Sequence, residues 1–448
     1  MFNKIFVANR GEIAVRLIQV IHELGASAIV GYAEPDVDSL AVALADTAVC
    51  IGPGPAAQSY LNMQNILAAA VLTGAEAIHP GFGFLSENSD FAELCEQAGI
   101  VFIGPSALTI KQLGDKAQAR ALAAKFAVPV IPGSEALHEL AQAQIAAGQI
   151  GYPLMLKAAA GGGGKGIRKI ADEAALSALW QPAQQEAMAA FADDSMYLEK
   201  VLTAAKHIEV QVLGDQAGHV WVFPERDCSL QKAKQKLIEI SPCLQLSPAR
   251  RKQLQAYAQR LAQGVGYVNA GTIEFLVDEA GVYFMEMNTR IQVEHPISEC
   301  VTGVDLLRWQ IMIAAGMPLT QGDRVLPAQG VAIECRINAQ ANGARDQITQ
   351  IRWPLGGAGV RIDTGIKVGT RLSPYYDAML AKLIVHADSA PLAWQRMQRA
   401  LKEFKIQGVT TNVAAQLNLI AKPTVQTGAA TITYVEDNDA QTTTNSLR

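Results

Sequence analysis

The chain lacks a basic excess. Its 37 lysines and arginines are outnumbered by 42 aspartates and glutamates, for a formal charge of −5. Nucleic-acid surfaces usually carry the opposite sign, so a nucleic-acid partner is excluded. No apolar run approaches the ~18 residues of a membrane helix, which excludes a membrane span. The opening "MFNKIFVANRGEIAVRL" is not laid out as a signal peptide, because Asn9, Arg10 and Glu12 interrupt its apolar stretch. No CxxC pair occurs among Cys50, Cys95, Cys228, Cys243, Cys300 and Cys335. Scattered thiols in a long chain argue against zinc and for a reduced, cytoplasmic protein. Internal repeats and long linkers are also missing.

What is present is a large apolar fraction, 50% of 448 residues, enough for about three domains of ~150 residues. The first ~110 residues alternate strand and helix signals. "KIFVA" reads as a buried strand, "EIAVRLIQVIHELG" as a helix stopped by glycine, and "ASAIVGYA", "EAIHPG" and "IVFIGP" as further strands. That order predicts a doubly wound parallel sheet. The turn "NRGE" after the first strand is not G-x-G-x-x-G, so a dinucleotide site there has little support. From Gly114 the pattern changes to hairpins, "YPLMLKAAAGGGGKGIRKI" and "TIEFLVDEAGVYFMEMN" among them. From Val331 antiparallel strands precede an amphipathic helix at 391–405, and the tail from Asp437 is polar.

Three features suggest chemistry. The first is the glycine run, Gly161 to Gly164, between Lys157 and Lys165. It is not a P-loop, since Ala159 and Gly166 stand where that motif needs glycine and Ser/Thr. A glycine hairpin tip can still close over phosphates with its backbone N–H groups, or be a plain surface turn. The second is the pair Glu274 and Glu286 on successive strands, with Asn288 two residues on. Side chains alternate along a strand, so both carboxylates can share a face. At ~4 Å they would repel by ~4 kcal/mol at an effective dielectric of ~20, which a divalent cation reverses. Oxygen donors of this kind suit Mg²⁺ on nucleotide phosphates, although solvated strand carboxylates look the same. The third is "EMNTRIQVEHP", read as a continuing strand whose even positions, Glu286, Asn288, Arg290, Gln292 and Glu294, form one polar side.

Together with "ANRGEIAVR" (8–16), "AIHPGFGFLSEN" (77–88), "IGPSALTIKQLGDK" (103–116), "ERDCSLQ" (225–231), "ECRINA" (334–339) and "YYDAMLAKLI" (375–384), these stretches resemble biotin carboxylases of the ATP-grasp family over residues 1–436. The resemblance implies an α/β and α+β architecture. An N-terminal, pre-ATP-grasp domain spans 1–113, and an ATP-grasp domain spans 114–325 with a mobile lid at about 130–203. A mainly antiparallel β domain follows at 330–436, with a tail at 437–448. It implies ATP, Mg²⁺ or Mn²⁺, bicarbonate and biotin as ligands. Lys116, Lys157 and the lid glycines Gly162, Gly163 and Gly164 would meet the phosphates. Glu199, Lys200 and Leu202 would line the adenine and ribose pocket, with His207 and Gln231 nearby. Glu274, Glu286 and Asn288 would hold the metal. Lys236, Arg290, Gln292 and the Val293 backbone would bind bicarbonate, Glu294 would deprotonate it, and Arg336 would stabilise the charged ureido oxygen of biotin.

The pattern departs from the family in places. Ala233 stands where an arginine is expected, Lys234 where a neutral or imidazole group is, and Ile240 where a second glutamate follows Glu239. Phe82 replaces a frequent tyrosine, and residues 339–351 lack the usual "PSPG". Glu274, Glu286, Arg290, Glu294 and Arg336 are intact, so the chemistry is expected to survive with altered rate or nucleotide affinity. No Met-Lys-Met biotin acceptor occurs. The biotin is therefore expected on a separate biotin carboxyl carrier protein, with carboxyltransferase subunits passing the carboxyl group to acetyl-CoA. Relatives often dimerise, which admits a homodimer. Two alternatives stay open: an ATP-grasp ligase with another acceptor, and a catalytically weak nucleotide-binding paralogue with a regulatory or assembly role.

Overall fold

The computed structural model describes residues 1–159, 167–191, 193–202, 204–340 and 347–438. The chain divides into two compact units. One comprises Met1–Gly114, Lys206–Glu274 and Met287–Arg448, the other Asp115–Ala205 and Phe275–Glu286.

The larger unit begins with the expected parallel sheet. Its strands run in the order Thr47–Gly52, Ser27–Ala33, Lys4–Val7, Ala77–His79, Val101–Phe102, with every neighbour parallel. Alternation along a buried strand divides its side chains between two cores. Ile5 and Val7 face the helix Gly11–Glu23 through Leu17, Ile18 and Ile21, while Phe6 and Ala8 face Ile66 and Phe91.

The second sheet of this unit carries the site. Lys206–Gly214, Arg226–Lys232, Gln235–Ser241, Val331–Asn338, Met379–Ala387 and Val360–Thr364 follow one another, each antiparallel to the next. Strands expected in two successive domains therefore form one continuous sheet. Its two faces differ in kind. Ile238, Ile240, Ile333, Cys335, Ile337 and Leu383 pack under the helix Ala390–Glu403 through Trp394, Met397 and Leu401. The other face is buried and charged. Cross-strand register places Glu239 opposite Glu334, and aligns Arg336, Lys382 and Asp363 in one row.

The smaller unit is a three-stranded antiparallel sheet, Ile167–Ile170, Leu154–Ala158 and Met196–Lys200. Leu154, Leu156 and Leu198 pack against Ala143 and Ala147 of helix Leu140–Ile150, and against Leu176, Trp180 and Ala183 of helix Glu173–Phe191. Neither helix is evident in the Ala/Gln-rich sequence, where small side chains blur the apolar period.

Candidate active site

Three strands supply most of the polar groups. In Lys206–Gly214, "HIEVQV" places His207, Glu209 and Gln211 on one face, all buried. Arg226 stands opposite Glu209 in the register and is completely buried. Its guanidinium donates to Glu209 Oε1, to Gln211 Oε1 (3.0 Å), Ser298 Oγ (2.9 Å), Thr272 Oγ1 (3.0 Å) and Gln292 Oε1 (2.8 Å). A planar fork with five donors can serve this many acceptors where a lysine could not.

Lys236 is the central cation. Its Nζ lies 2.6 Å from Glu209 Oε2, 3.1 Å from Glu274 Oε1 and 2.6 Å from Glu294 Oε1. Glu274 also meets His207 Nε2 at 2.7 Å and accepts from Asn288 Nδ2 (2.9 Å) and Gln292 Nε2 (2.7 Å). Glu294 is closed from its other side by Arg336 Nη2 at 3.0 Å, and Arg336 Nε donates to Glu239 Oε1 at 2.6 Å.

Burial alone would raise every carboxyl here, and neighbours decide the outcome. For Glu274, Lys236 and His207 outweigh burial and hold the carboxyl well below its usual range. For Glu294, Lys236, Arg336 and Arg226 do the same. Glu239 has Arg336 against burial and the charge of Glu294, and is pushed up to about 7. Burial, then repulsion from Glu294, also raises Glu209. Lys236 stays charged, because Glu209, Glu274 and Glu294 overcome its desolvation.

These donors suit a hard cation. Glu274 is ionised and Asn288 offers an amide oxygen, both fitting Mg²⁺ or Mn²⁺. A soft metal fits poorly. His207, Glu209 and Glu274 come within 4.8 Å of one another, as do Glu209, Cys228 and Glu294. The Lys236 ammonium already pairs with all three carboxylates, however, and burial pushes the Cys228 thiol well up. The six cysteines are free thiols.

Within the larger unit the structure thus brings together His207, Lys236, Glu274, Asn288, Gln292, Glu294 and Arg336. Gln231 stands opposite Lys236 in the hairpin register. Arg290 turns to Glu87 Oε2 (2.8 Å) and Asn288 Oδ1 (3.2 Å), and Val293 O accepts from Lys382 Nζ (3.0 Å). The remaining expected residues lie in the smaller unit. There the Glu199 carboxylate takes Arg120 Nη1 at 2.6 Å and Lys157 Nζ. Lys200 Nζ donates to Gly151 O (2.8 Å) and Tyr152 O (2.9 Å). Lys116 is exposed at the start of helix Lys116–Lys125, and Leu202 and Glu286 are half-buried. Gly162, Gly163 and Gly164 lie outside the described residues.

One expectation is corrected. The strand does not continue through Glu294. It ends at Asn288, and helix His295–Thr302 begins with Pro296 in its first turn. Gln292 O accepts from His295 N–H at 3.2 Å, which closes a turn where a ladder bond would be needed. Arg290, Gln292 and Glu294 therefore do not share a strand face, although Gln292 and Glu294 still reach the cluster. The departures at 233–240 also acquire a local meaning. Ala233 and Lys234 both have positive φ, +49° and +65°, at the two-residue turn of the hairpin. Ile240 points into the apolar core, away from Glu239.

Sequence reasoning missed Glu209 and Arg226 as members of this network. The usable signal was "HIEVQV", polar residues at every second position inside a strongly apolar strand.

Comparison with known proteins places the chain in a family. Residues 1–110 and 334–437 match the families described as "Biotin carboxylase, N-terminal domain" and "Biotin carboxylase C-terminal domain". Residues 115–322 match "Carbamoyl-phosphate synthase L chain, ATP binding domain". The chain is 45% identical over 447 residues to biotin carboxylase 1 of Bacillus subtilis, covering 98% of this chain and 99% of that one. It is 44% identical over 444 residues to the 2-oxoglutarate carboxylase small subunit of Hydrogenobacter thermophilus, covering 98% and 94%. The crystal structure of that carboxylase's biotin carboxylase domain dimer, in complex with MgADP, ADP and bicarbonate, superposes with a TM-score of 0.92 at 44% identity, covering 98% of each chain. Among the described residues no helix is long and apolar enough to cross a membrane. With family matches along its length and close relatives of nearly the same extent, the chain belongs to the biotin carboxylase family of ATP-dependent ligases.

Proposed function

We propose that the chain carboxylates biotin held on a separate biotin carboxyl carrier protein, using ATP and bicarbonate. The observation that carries this reading is an ionised Glu294 gripped between Lys236 and Arg336. A base, an anion-binding ammonium and an enolate-stabilising guanidinium are the three groups the reaction needs at one place.

Bicarbonate binds at Lys236, Arg290, Gln292 and the Val293 backbone. Glu294 takes its proton, and the freed oxygen attacks the γ-phosphorus of ATP, with ADP leaving and carboxyphosphate formed. Carboxyphosphate then gives its carboxyl group to N1 of biotin: the bond from its carboxyl carbon to the phosphate oxygen breaks as the N1–C bond forms, phosphate leaves and takes up the N1 proton, and Arg336 stabilises the negative ureido oxygen. Phosphoryl transfer needs chiefly positioning and charge neutralisation, so Lys116, Lys157, Glu199, Lys200, Leu202, His207, Gln231 and the lid glycines hold the nucleotide. Glu274, Glu286 and Asn288 would hold Mg²⁺ or Mn²⁺, which would supply charge neutralisation on the phosphates.

Acetyl-CoA carboxylase in fatty acid synthesis, with carboxyltransferase subunits and a homodimeric carboxylase, is the proposed setting. The likeness to a 2-oxoglutarate carboxylase subunit favours a second reading of the final acceptor, with the same biotin half-reaction. A catalytically weak paralogue has less support, since Ile240 leaves the charged face of its strand unchanged.

The test is ADP release with MgATP and bicarbonate, with and without free biotin, then with biotinylated carrier. Biotin-stimulated release that requires bicarbonate is expected. ATP binding with no stimulation by either biotin form rejects the proposal. Acetyl-CoA and 2-oxoacids offered with the matching carboxyltransferases separate the two settings.

A further inference from the structure

The motif ending in Glu-His-Pro leaves His295 without a task, yet its imidazole is fully buried at the start of helix His295–Thr302. His295 Nδ1 lies 2.8 Å from Gln292 O, the same oxygen that accepts from the His295 N–H. A carbonyl only accepts, so Nδ1 carries the proton. The next carbonyl along, Val293 O, accepts from Lys382 Nζ at 3.0 Å. Lys382 is also fully buried, with Nζ 3.0 Å from Glu12 Oε1 and 3.7 Å from Asp363 Oδ2. Two successive peptide planes are thus each held by a side chain on the carbonyl.

In a trans peptide the N–H points opposite to the C=O. Holding Gln292 O therefore fixes the direction of the Val293 N–H, and holding Val293 O fixes that of the Glu294 N–H. Among the described residues, nothing accepts from the Val293 N–H. Lys382 also ties this turn to helix Gly11–Glu23 and strand Val360–Thr364, segments remote in sequence. The turn's geometry is therefore set by buried groups that touch no reacting atom.

We propose that His295 and Lys382 are positioning residues that hold the carbonyls of Gln292 and Val293: His295 aims the Val293 N–H at a bicarbonate oxygen, and Lys382 fixes the next peptide plane, so that the turn keeps that aim. This rests on the reading above that the Gln292–Glu294 turn binds bicarbonate. A space-filling role would be met by any apolar group of similar size. A positioning role needs a donor where Nδ1 sits, which asparagine supplies and leucine does not.

The experiment compares His295→Leu with His295→Asn. It reads KM for bicarbonate, KM for ATP, and amide hydrogen exchange in peptides covering residues 289–299. His295→Leu is expected to raise KM for bicarbonate by ~10–100-fold with KM for ATP unchanged, and to speed exchange in the turn. His295→Asn should restore most of both. Equal behaviour of the two variants, or a parallel rise in both KM values, would overturn the proposal. If the unaltered enzyme shows no bicarbonate-dependent turnover, the functional reading fails by itself. Exchange then decides the positioning claim, which stands on faster exchange in the leucine variant and falls on equal rates. If His295→Leu does not fold, Lys382→Met combined with Glu12→Gln tests the Val293 carbonyl in the same way. That pair leaves no charged Glu12 behind, and Asp363 keeps both of its 2.7 Å bonds from Arg361.

Discussion

Arg336 Nη2 lies 3.0 Å from Glu294 Oε2, so the cation assigned to the biotin oxygen is already bonded to the assigned base. A carboxylate held this low is a weak base, since its ionised form is stabilised by every neighbour that depresses it. Turning Arg336 toward a ureido oxygen would withdraw one of those neighbours and make Glu294 more basic. Under the proposed roles, biotin binding and bicarbonate deprotonation would be coupled through a single guanidinium.

Replacing Arg336 by methionine should reproduce the withdrawal permanently. Loss of a cation raises a carboxyl pKa, so Glu294 would protonate at higher pH. The acid limb of bicarbonate-dependent ADP release should move upward by ~1–3 pH units, and stimulation by biotin should vanish. An unshifted limb would show that Arg336 does not govern the base. Glu294→Gln should remove the bicarbonate-dependent rate itself, by ~100–10,000-fold, since an amide cannot accept the proton. Full turnover in that variant would reject the assignment.

Most of the parallel sheet was legible in the sequence, because strands Lys4–Val7, Ser27–Ala33, Ala77–His79 and Val101–Phe102 are short apolar runs and helix Gly11–Glu23 keeps its period, while the edge strand Thr47–Gly52 was not read. "QVEHP" and "ECRINA" likewise marked Gln292, Glu294 and Arg336 through resemblance. Arg226 was not legible, and Glu209 showed only in the unread alternation of "HIEVQV". A buried charged strand looks like a solvated one until its neighbours are known, and Arg226 meets Glu209, Thr272 and Gln292 only through tertiary folding. The end of the strand at Asn288 was missed for a related reason. Alternation persists in the letters through Glu294, but bonds from His295 to Gln292 O close a turn that no pattern of polarity reveals.

Lys236 neutralises three buried carboxylates, and its removal should be costly in a pH-dependent way. Glu274 and Glu294 have depressed folded pKa values, so their contribution to stability is present above the unfolded value of 4.5 and is lost as pH falls through the folded values. Lys236→Met should cost ~3–5 kcal/mol near pH 8 by leaving those charges uncompensated. The cost should shrink toward about pH 5, as the unpaired carboxyls take up protons instead. Urea midpoints at the two pH values provide the measurement, and a pH-independent loss would contradict the electrostatic account.

The hairpin turn at Ala233 and Lys234 has φ values of +49° and +65°, positions that Asn-Gly fills with least strain. Each side chain with a Cβ in that region costs ~1–2 kcal/mol, partly offset in glycine by its freer unfolded chain. Ala233→Asn with Lys234→Gly should therefore raise stability by ~1 kcal/mol, read as a higher urea midpoint at unchanged m-value. A lower midpoint would mean that the native side chains compensate the strain elsewhere, beyond the Ala233 N–H bond to Glu436 Oε1.

Glu239 offers a separate titration in a different window. Burial raises its folded pKa from 4.5 to about 7, against the opposing pull of Arg336. A raised folded pKa means that the native state binds this proton more tightly than the unfolded chain does. Its contribution is therefore complete below 4.5, falls as pH rises toward about 7, and is constant above that. The loss across the window is on the order of a few kcal/mol. In Glu239→Gln there is no proton to lose, and the amide oxygen can still accept from Arg336 Nε. The variant should gain stability relative to the unaltered enzyme as pH rises from about 4.5 to about 7, with parallel curves outside that interval. Glu274 and Glu294 do not blur the comparison, because their depressed values place their own losses at lower pH. Urea unfolding at half-unit pH steps would resolve the difference. Curves that stay parallel throughout would mean that Arg336 keeps Glu239 ionised, with Glu294 and Glu239 sharing one permanently engaged guanidinium.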